Sequence, residues 1–335
     1  MIQLLQLSTK RQMEIIDQVS AKTKLRTNAI EKDWWVTLAI KAAFSTPYRS
    51  QLLFKGGTSL SKSWGLIERF SEDIDFVLNR EALGFSGELS KSQVAKLRKA
   101  SSHFISTVFR GSFSQTLLEM GVAPELFTLT VQPTEVTDRD PQVLELHYKS
   151  LQAADGYLAD KVLIEIGTRS LLEPADARKV HSIIGETIPG QPFSGEPFSI
   201  LTVNPQRTFL EKIFLLHEEF CKPAEKIRHN RMSRHLYDLE QLMDSQYGKA
   251  ALENTELYRL IVRHREKYTP IRGLNYSSLL PQTINFIPLQ EVSELWKRDY
   301  EGMQASMIYG KSLDYTTLIE RLHELKDRVR RVKIK

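Results

Sequence analysis

The sequence predicts an α+β protein, in which a mixed sheet flanked by helices is followed by a mainly helical C-terminal domain. Two observations support this prediction. Short apolar segments of the kind that form strands are confined to the first part of the chain. After Pro205 the apolar residues recur at helical spacing almost to the end. We therefore expect a boundary near residue 200, with one domain over 1–200 and a second over 201–335.

The predicted elements of the first domain follow one another in a clear order. Residues 8–46 have the pattern of two helices, and the second contains the unusual run Glu31-Lys32-Asp33-Trp34-Trp35. A short apolar strand at 52–54 ends at two glycines, and a helix with apolar residues at helical spacing extends to Ile67. The remaining predictions are a strand at 74–78, a lysine-rich helical region ending near Met120, and strands at 126–131, 143–148 and 162–168.

The composition narrows the class of protein. With 335 residues, 41% of them hydrophobic and 26% charged, the chain can bury a sizeable core. No apolar run approaches the roughly 18 residues that a membrane span needs. The N-terminal residues lack the layout of a secretory signal. The single cysteine, Cys221, excludes an internal disulfide and a cysteine-based zinc cluster. We therefore expect a cytoplasmic protein with no membrane partner.

Basic residues are concentrated in two segments. The net charge is only +5, from 46 basic and 41 acidic residues. The two clusters are Lys222, Lys226, Arg228, His229, Arg231 and Arg234, and then Lys326, Arg328, Arg330, Arg331, Lys333 and Lys335. Such clusters suit a polyanionic partner such as RNA, although an ordinary solvated surface has the same appearance.

Two aspartates lie on one face of the strand at 73–78. Because strand side chains alternate, Asp73 and Asp75 point one way while Ile74 and Phe76 point the other. The two carboxylates are then about 7 Å apart along the strand. Like charges held together favour a bound cation, and Mg²⁺ prefers oxygen ligands and substrate phosphates. A solvated strand end is the alternative interpretation.

A glycine turn precedes this strand. In Lys55-Gly56-Gly57-Thr58-Ser59 the glycines permit close approach of the backbone to a phosphate, and free amides at the following helix start face the anion. The next strand would bring its carboxylates beside this turn, as a metal-bound triphosphate requires. An ordinary helix entry capped by Thr58 or Ser59 is the alternative.

A third carboxylate is expected if two metal ions take part in phosphoryl chemistry. Glu165 is the candidate, since it lies on a strand opposite the apolar residues Val162, Ile164 and Ile166. A glutamate on the solvated side of a sheet fits the same spacing.

Two helical sites complete the candidates. Lys212 borders the apolar stripe of its helix, so that its stem can pack while its ammonium reaches a phosphate. Arg234 and Asp238 are four residues apart on one helix face, which also fits a simple surface ion pair.

Taken together, these segments resemble the AbiEii/AbiGii family of nucleotidyltransferase toxins, within the DNA polymerase β-like superfamily. The segments that are most specific to this family are Phe54 to Lys62 and Arg69-Phe70-Ser71-Glu72-Asp73-Ile74-Asp75-Phe76. The segments 31–35, 205–212 and 233–239 support it, so the resemblance covers roughly residues 25–245.

The resemblance implies a polymerase-β-like fold and a toxin of a toxin–antitoxin or phage-defence pair. Such an enzyme would transfer a nucleoside monophosphate from a nucleoside triphosphate to a cellular acceptor, with the tRNA 3′ end as the leading one. It implies two Mg²⁺ ions, with Mn²⁺ as a substitute, and a cognate antitoxin.

The implied catalytic residues are Asp73, Asp75, Lys212 and Asp238, the last as a candidate base. The implied phosphate-binding residues are Gly56, Gly57, Thr58, Ser59, Lys62 and Lys212. The implied metal ligands are Asp73, Asp75 and Glu165, supported by Arg69, Ser71, Arg234 and His235.

Two other functions are compatible with the same residues. The acceptor could be a protein or a small molecule instead of RNA, although the basic clusters favour a polyanion. Alternatively, the chain could be a non-enzymatic binding protein on a decayed transferase fold. The intact glycine turn and both aspartates argue against decay, because a site without function has no reason to keep two adjacent like charges.

Overall fold

The structure is a computed structural model, and it describes residues 1–134, 139–152, 159–172, 174–271 and 273–334. The chain divides into two compact units. The first unit comprises Met1–Ser63 and Phe70–Thr202, and the second comprises Trp64–Arg69 and Val203–Lys335. A short segment between two parts of the first unit thus belongs to the second. Lys335, the last residue of the basic tail, lies outside the described residues.

The first unit combines helices with a sheet. Its helices are α1 (Thr9–Thr23), α2 (Thr27–Ala43), α3 (Gly56–Lys62), α4 (Lys91–His103), α5 (Arg110–Glu119) and α6 (Ile183–Thr187). Its strands are β1 (Leu52–Lys55), β2 (Asp73–Leu78), β3 (Phe127–Val131), β4 (Gln142–Tyr148), β5 (Lys161–Gly167), β6 (Ala175–Val180) and β7 (Phe198–Val203). A π-helical segment, Phe104–Phe109, joins α4 to α5.

Within the described residues, seven strands form one mixed sheet in the order β3-β4-β5-β2-β1-β7-β6. The β2 strand lies near the middle, where it pairs antiparallel with β1 and parallel with β5. The outer strands β3 and β4 are antiparallel to their neighbours, and β1 and β7 are parallel. This mixed sheet with flanking helices confirms the predicted α+β class.

The core of the first unit lies on one face of this sheet. Ile74 and Phe76 of β2 and Ile164 of β5 are fully buried there, because alternate strand residues point to the same side. Helix α2 packs against this face and is buried over nearly its whole length. The opposite face of β2 and β5 therefore remains available for polar side chains.

The helix predicted to extend to Ile67 ends earlier, and that prediction was wrong. Helix α3 stops at Lys62, and Gly65 has a φ of 61°. A glycine in this left-handed conformation turns the chain away from the helix axis. Strands β6 and β7, which the sequence analysis missed, follow later. The burial of β6 shows why, since its residues are mostly exposed or half-buried and give no apolar signal.

Helices make up most of the regular structure among the described residues of the second unit. Its helices are α7 (Pro205–Phe220), α8 (Arg234–Met243), α9 (Gln246–Glu253), α10 (Thr255–Tyr268), α11 (Gln290–Ser306) and α12 (Tyr315–Arg330). The predicted apolar stripe of α7 is buried at Phe209, Ile213, Leu216 and Phe220. In the part of the chain that the structure describes, no helix combines the length and apolar character required to cross a bilayer.

Candidate active site

The predicted alternation of β2 is present in the structure. Asp73 and Asp75 are half-buried, whereas Ile74 and Phe76 on the other face are fully buried. The buried face anchors the strand in the core. The two aspartates consequently lie on the other, half-buried face of this part of the strand.

Glu165 lies beside this acidic pair. In the parallel register of β2 and β5, Asp75 is opposite Glu165 and Asp73 is opposite Leu163. Burial raises the pKa of Glu165 to about 7, and the neighbouring Asp75 acts in the same direction against the opposing effect of Lys55. Two acidic side chains therefore share one low-dielectric position, where a bound cation would stabilise both in their charged forms.

The glycine turn lies against the same aspartate. Gly56 has a φ of 78°, a conformation that side-chain-bearing residues rarely adopt. A Cβ atom at this position would be 2.0 Å from the Oδ2 atom of Asp75. Only glycine leaves room for the carboxylate here, so the structure brings the turn and Asp75 together.

The hydroxyl groups of the turn serve internal contacts. Thr58 is fully buried; its Oγ1 donates to the backbone oxygen of Asp73 and lies 2.8 Å from the Oγ of Ser71, from which it can accept. The Oγ of Ser59, also fully buried, donates to the backbone oxygen of Gly56 at 2.9 Å. The Thr58 contact with Asp73 fastens the start of α3 to β2, and the Ser59 contact lies within α3. Direct phosphate contacts from the two hydroxyls are therefore less favoured than contacts from the backbone.

Lys62 has a different partner from the phosphate predicted for it. Its Nζ forms a buried ion pair with Asp33 Oδ1 at 2.5 Å and lies 3.3 Å from the backbone oxygen of His181. The ammonium is thereby neutralised inside the first unit. The structure thus shows Lys62 bound inside the first unit, and its role in phosphate binding stays a prediction.

The carboxylates fit a cation that also binds substrate. Among the described residues, no three His, Cys, Asp or Glu side chains are grouped as a complete metal site. Mg²⁺ usually takes only one or two protein carboxylates and completes its shell with water and substrate phosphates. The register pair Asp75 and Glu165, with Asp73 on the same face, matches this type of donor set.

In the second unit, a buried carboxylate lies between two cations. Asp238 is fully buried and accepts from Arg69 Nε at 2.7 Å and from a second guanidinium nitrogen at 2.8 Å. Lys212 Nζ lies 2.7 Å from its Oδ2. Burial alone would raise the pKa of Asp238, but Arg69 and Lys212 outweigh burial and hold that pKa well below its usual range. Such a carboxylate is a weak proton acceptor, which favours a positioning role over that of base.

His235 and Arg234 lie next to this group. The Nδ1 atom of His235 is 3.2 Å from Lys212 Nζ. Burial, followed by the nearby Lys212 and Arg234 cations, holds the pKa of His235 well below its usual value. The imidazole is then neutral at pH 7, and its Nδ1 can accept a hydrogen bond from the ammonium.

Three buried residues next to the site, Lys32, Asp33 and Glu72, were not assigned a role from the sequence. Lys32 pairs with Glu72, and Asp33 pairs with Lys62. The sequence did indicate that Lys32 and Asp33 are unusual, because successive charged residues next to two tryptophans are rare in a buried helix. The partners could not be read from it, since they are about 30 to 40 residues away along the chain.

The fold resembles that of a solved nucleotidyltransferase toxin. MenT4, a nucleotidyltransferase toxin from Mycobacterium tuberculosis H37Rv, aligns with a TM-score of 0.54 at 15% identity, covering 95% of this chain and 90% of that one. JHP933 from Helicobacter pylori aligns with a TM-score of 0.38 at 15% identity, covering 90% of this chain and 98% of that one. At this identity the likeness to MenT4 shows the fold alone. No protein of curated function matches the sequence.

A family profile extends the comparison to the sequence. Residues 40–327 match the family described as "Nucleotidyl transferase AbiEii toxin, Type IV TA system". The match covers most of the chain, including the glycine turn, the carboxylates of Asp73, Asp75 and Glu165, and the Lys212–Asp238 group. The chain therefore belongs to the AbiEii family of nucleotidyltransferase toxins from type IV toxin–antitoxin systems, and it is a nucleotidyltransferase.

Proposed function

We propose that this toxin transfers a nucleoside monophosphate from a nucleoside triphosphate to the 3′ end of tRNA, in a reaction that requires Mg²⁺. One observation carries the proposal: Asp75 lies against the Gly56 turn and opposite Glu165 in the sheet. Clustered acidic groups beside a tight glycine turn suit a metal-bound polyphosphate better than any neutral ligand.

In this reaction an acceptor hydroxyl oxygen forms a bond to the α-phosphorus. The bond from that phosphorus to the oxygen bridging to the β-phosphate breaks, pyrophosphate leaves with that oxygen, and the proton of the hydroxyl passes to solvent. Phosphoryl transfer of this kind depends mainly on positioning and on stabilisation of negative charge.

Asp73, Asp75 and Glu165 would hold the metal ions. Magnesium supplies charge neutralisation of the triphosphate and activation of the acceptor hydroxyl. The chain contributes the rigid placement of the carboxylates, because β2 and β5 are adjacent strands of one sheet. Backbone groups of the Gly56-Gly57 turn are the proposed phosphate contacts, since the hydroxyls of Thr58 and Ser59 are engaged internally.

The residues of the second unit have a supporting place in the proposal. The binding of triphosphate by Lys212 stays a prediction, as do the roles of Arg234 and His235. What supports such a role is the placement of Lys212, whose ammonium is held by Asp238 and His235 in one fixed position. A fixed cation loses little conformational entropy when it meets a phosphate.

The basic segment near α8 supports a nucleic-acid acceptor. Lys226, Arg228 and Arg231 are exposed, although Arg228 also pairs with Glu219. Exposed cations of this kind bind a phosphate backbone by releasing its counterions. The cytoplasmic location belongs to the same proposal. A cognate antitoxin follows from the family.

The decisive experiment incubates the purified protein with total tRNA, Mg²⁺ and each of the four labelled triphosphates separately. We expect label in the tRNA band from one or more triphosphates, with none in the Asp73→Asn variant or in the presence of a chelator. Label that resists ribonuclease would instead favour a protein or small-molecule acceptor. Absence of label in every fraction, together with no Mg²⁺-dependent triphosphate binding by calorimetry, would refute the transferase proposal.

A further inference from the structure

Three successive charged residues are buried in helix α2. Glu31, Lys32 and Asp33 are exposed by only 4%, 2% and 3%. Charged side chains are almost never this buried unless they are paired, because removing a charge from water is costly. On an α-helix each successive side chain is rotated by about 100°, so the three point in different directions. Each must therefore have a separate partner.

The partner of Lys32 is the residue that precedes the catalytic strand. Lys32 Nζ forms a buried ion pair with Glu72 and also donates to the backbone oxygen of Ala159 at 3.0 Å. Glu72 is the immediate neighbour of Asp73, and successive strand side chains point to opposite faces. The ion pair thus holds the start of β2 from the α2 side, while Asp73 lies on the opposite side.

The partner of Asp33 lies at the end of the helix that follows the glycine turn. Its Oδ1 pairs with Lys62, the last residue of α3, at 2.5 Å. Its Oδ2 accepts from the backbone nitrogen of Ile183 at 2.8 Å. Because α3 begins at Gly56, this contact fixes the far end of the element whose near end lies against Asp75.

A third link closes the arrangement. Thr58 of α3 donates to the backbone oxygen of Asp73 and is hydrogen-bonded to Ser71. Helix α2 therefore holds β2 through Glu72 and α3 through Lys62, and α3 and β2 are bound directly to each other. Three elements joined pairwise cannot shift independently, which is what a site needs when small displacements reduce the rate.

From these contacts we infer that Lys32 and Asp33 are positioning residues for nucleotidyl transfer: they act through Glu72 and Lys62 to set the distance between the Asp73/Asp75 strand and the glycine turn. This inference rests on the proposed function. Glu31 has a different task, since it accepts from Ser150 Oγ at 3.0 Å and from Leu151 N at 2.8 Å, outside α3 and β2.

Paired variants test the inference without leaving a lone buried charge. In Asp33→Asn with Lys62→Met, and in Lys32→Met with Glu72→Gln, both members of an ion pair are neutral. Such double replacements often keep stability, whereas single ones leave an uncompensated charge. We expect the two double variants to unfold at thermal midpoints close to that of the wild-type protein, while their kcat falls by about 10- to 100-fold. The KM for the triphosphate should change less than kcat.

Glu31→Gln is the matched control, because it removes an equally buried charge from the same helix. We expect it to lower the thermal midpoint and to leave kcat close to wild type. Lys62→Arg and Asp33→Glu keep the charges and alter only the reach, so they should fold and recover part of the kcat lost in the doubles.

The outcomes separate the two proposals. If the wild-type protein transfers label and the folded doubles keep their kcat, the positioning role is wrong and the proposed function stands. The positioning role is also wrong if Glu31→Gln reduces kcat as strongly as the doubles do. If the doubles do not fold, a wild-type kcat in both Lys62→Arg and Asp33→Glu would overturn the inference. A wild-type protein without transfer activity refutes both proposals.

Discussion

Asp75 of β2 lies directly opposite Glu165 of β5, and a Cβ atom on Gly56 would be 2.0 Å from the Asp75 carboxylate. One aspartate is thus in contact with both the glycine turn and the neighbouring acidic strand. This relationship concentrates negative charge at one half-buried point on a central strand. The first two predictions follow from it.

Asp75→Asn should reduce nucleotide transfer by at least about 100-fold, because it removes a charged group from a site that stabilises charge. The change can be measured as initial rates of label incorporation into tRNA. Glu145→Gln is the control. Glu145 lies on the same face two strands from β2, where it pairs with Lys161 at 2.8 Å. A comparable loss in Glu145→Gln would show that the effect is not specific to the proposed metal site.

Gly56→Ala should reduce both stability and activity. A residue with a side chain in the left-handed conformation costs about 1–3 kcal/mol, and here the added methyl group also displaces Asp75. Gly84→Ala separates the two effects, since Gly84 has a φ of 81° but no atom within 4 Å of an added Cβ. We expect both variants to lose stability in urea denaturation and only Gly56→Ala to lose transfer activity. Equal activities would contradict the proposed closeness of the turn and the carboxylate.

Arg69→Met should destabilise the protein by about 3–5 kcal/mol, because it leaves the fully buried Asp238 with one fewer cation. The matched control is Arg298→Met. Arg298 pairs with Glu294 at 3.5 Å, and both side chains are largely exposed. An exposed pair contributes about 0–1 kcal/mol, so this control should remain close to wild type. Free energies of unfolding at pH 7 provide the comparison, and similar values for both variants would exclude the buried network as a source of stability.

The same network predicts a pH dependence with a definite sign. The pKa of Asp238 in the folded protein lies below its value of about 3.9 in the unfolded chain. The stability that the ionised Asp238 carboxylate contributes is therefore complete above its unfolded-state pKa. This contribution is lost as the pH falls through its pKa in the folded protein. Because Arg69 causes part of this shift, the difference in unfolding free energy between wild type and Arg69→Met should decrease from pH 7 to pH 3. A difference that does not change with pH would contradict the assignment.

For individual strands, the sequence predicted correctly which side chains lie on the same face. Alternation along 73–78 and 161–167 is a local property, so the faces of Asp75 and Glu165 followed from the order of residues alone. The pairing of these two residues did not follow. Register between β2 and β5 depends on packing of segments about 90 residues apart, which no local pattern encodes.

Other features could not be predicted because long-range partners decide them. Lys62 looked like a phosphate ligand next to the glycine turn, but the buried carboxylate of Asp33 binds it instead. Asp238 looked like half of a surface pair with Arg234, yet Arg69 and Lys212 enclose it. In each case the partner came from a distant segment of the chain.

The segment Trp64–Arg69 has a practical consequence for dissecting this toxin. It belongs to the second unit, although α3 and β2 on either side of it belong to the first. No single cut of the polypeptide separates the two units. A fragment that stops at Thr202 would retain Arg69 without the carboxylate that neutralises it, and Trp64 without the Val203 oxygen that accepts its indole proton. Loss of function after C-terminal truncation would then reflect damage to this connecting segment as well as the absence of the helices themselves.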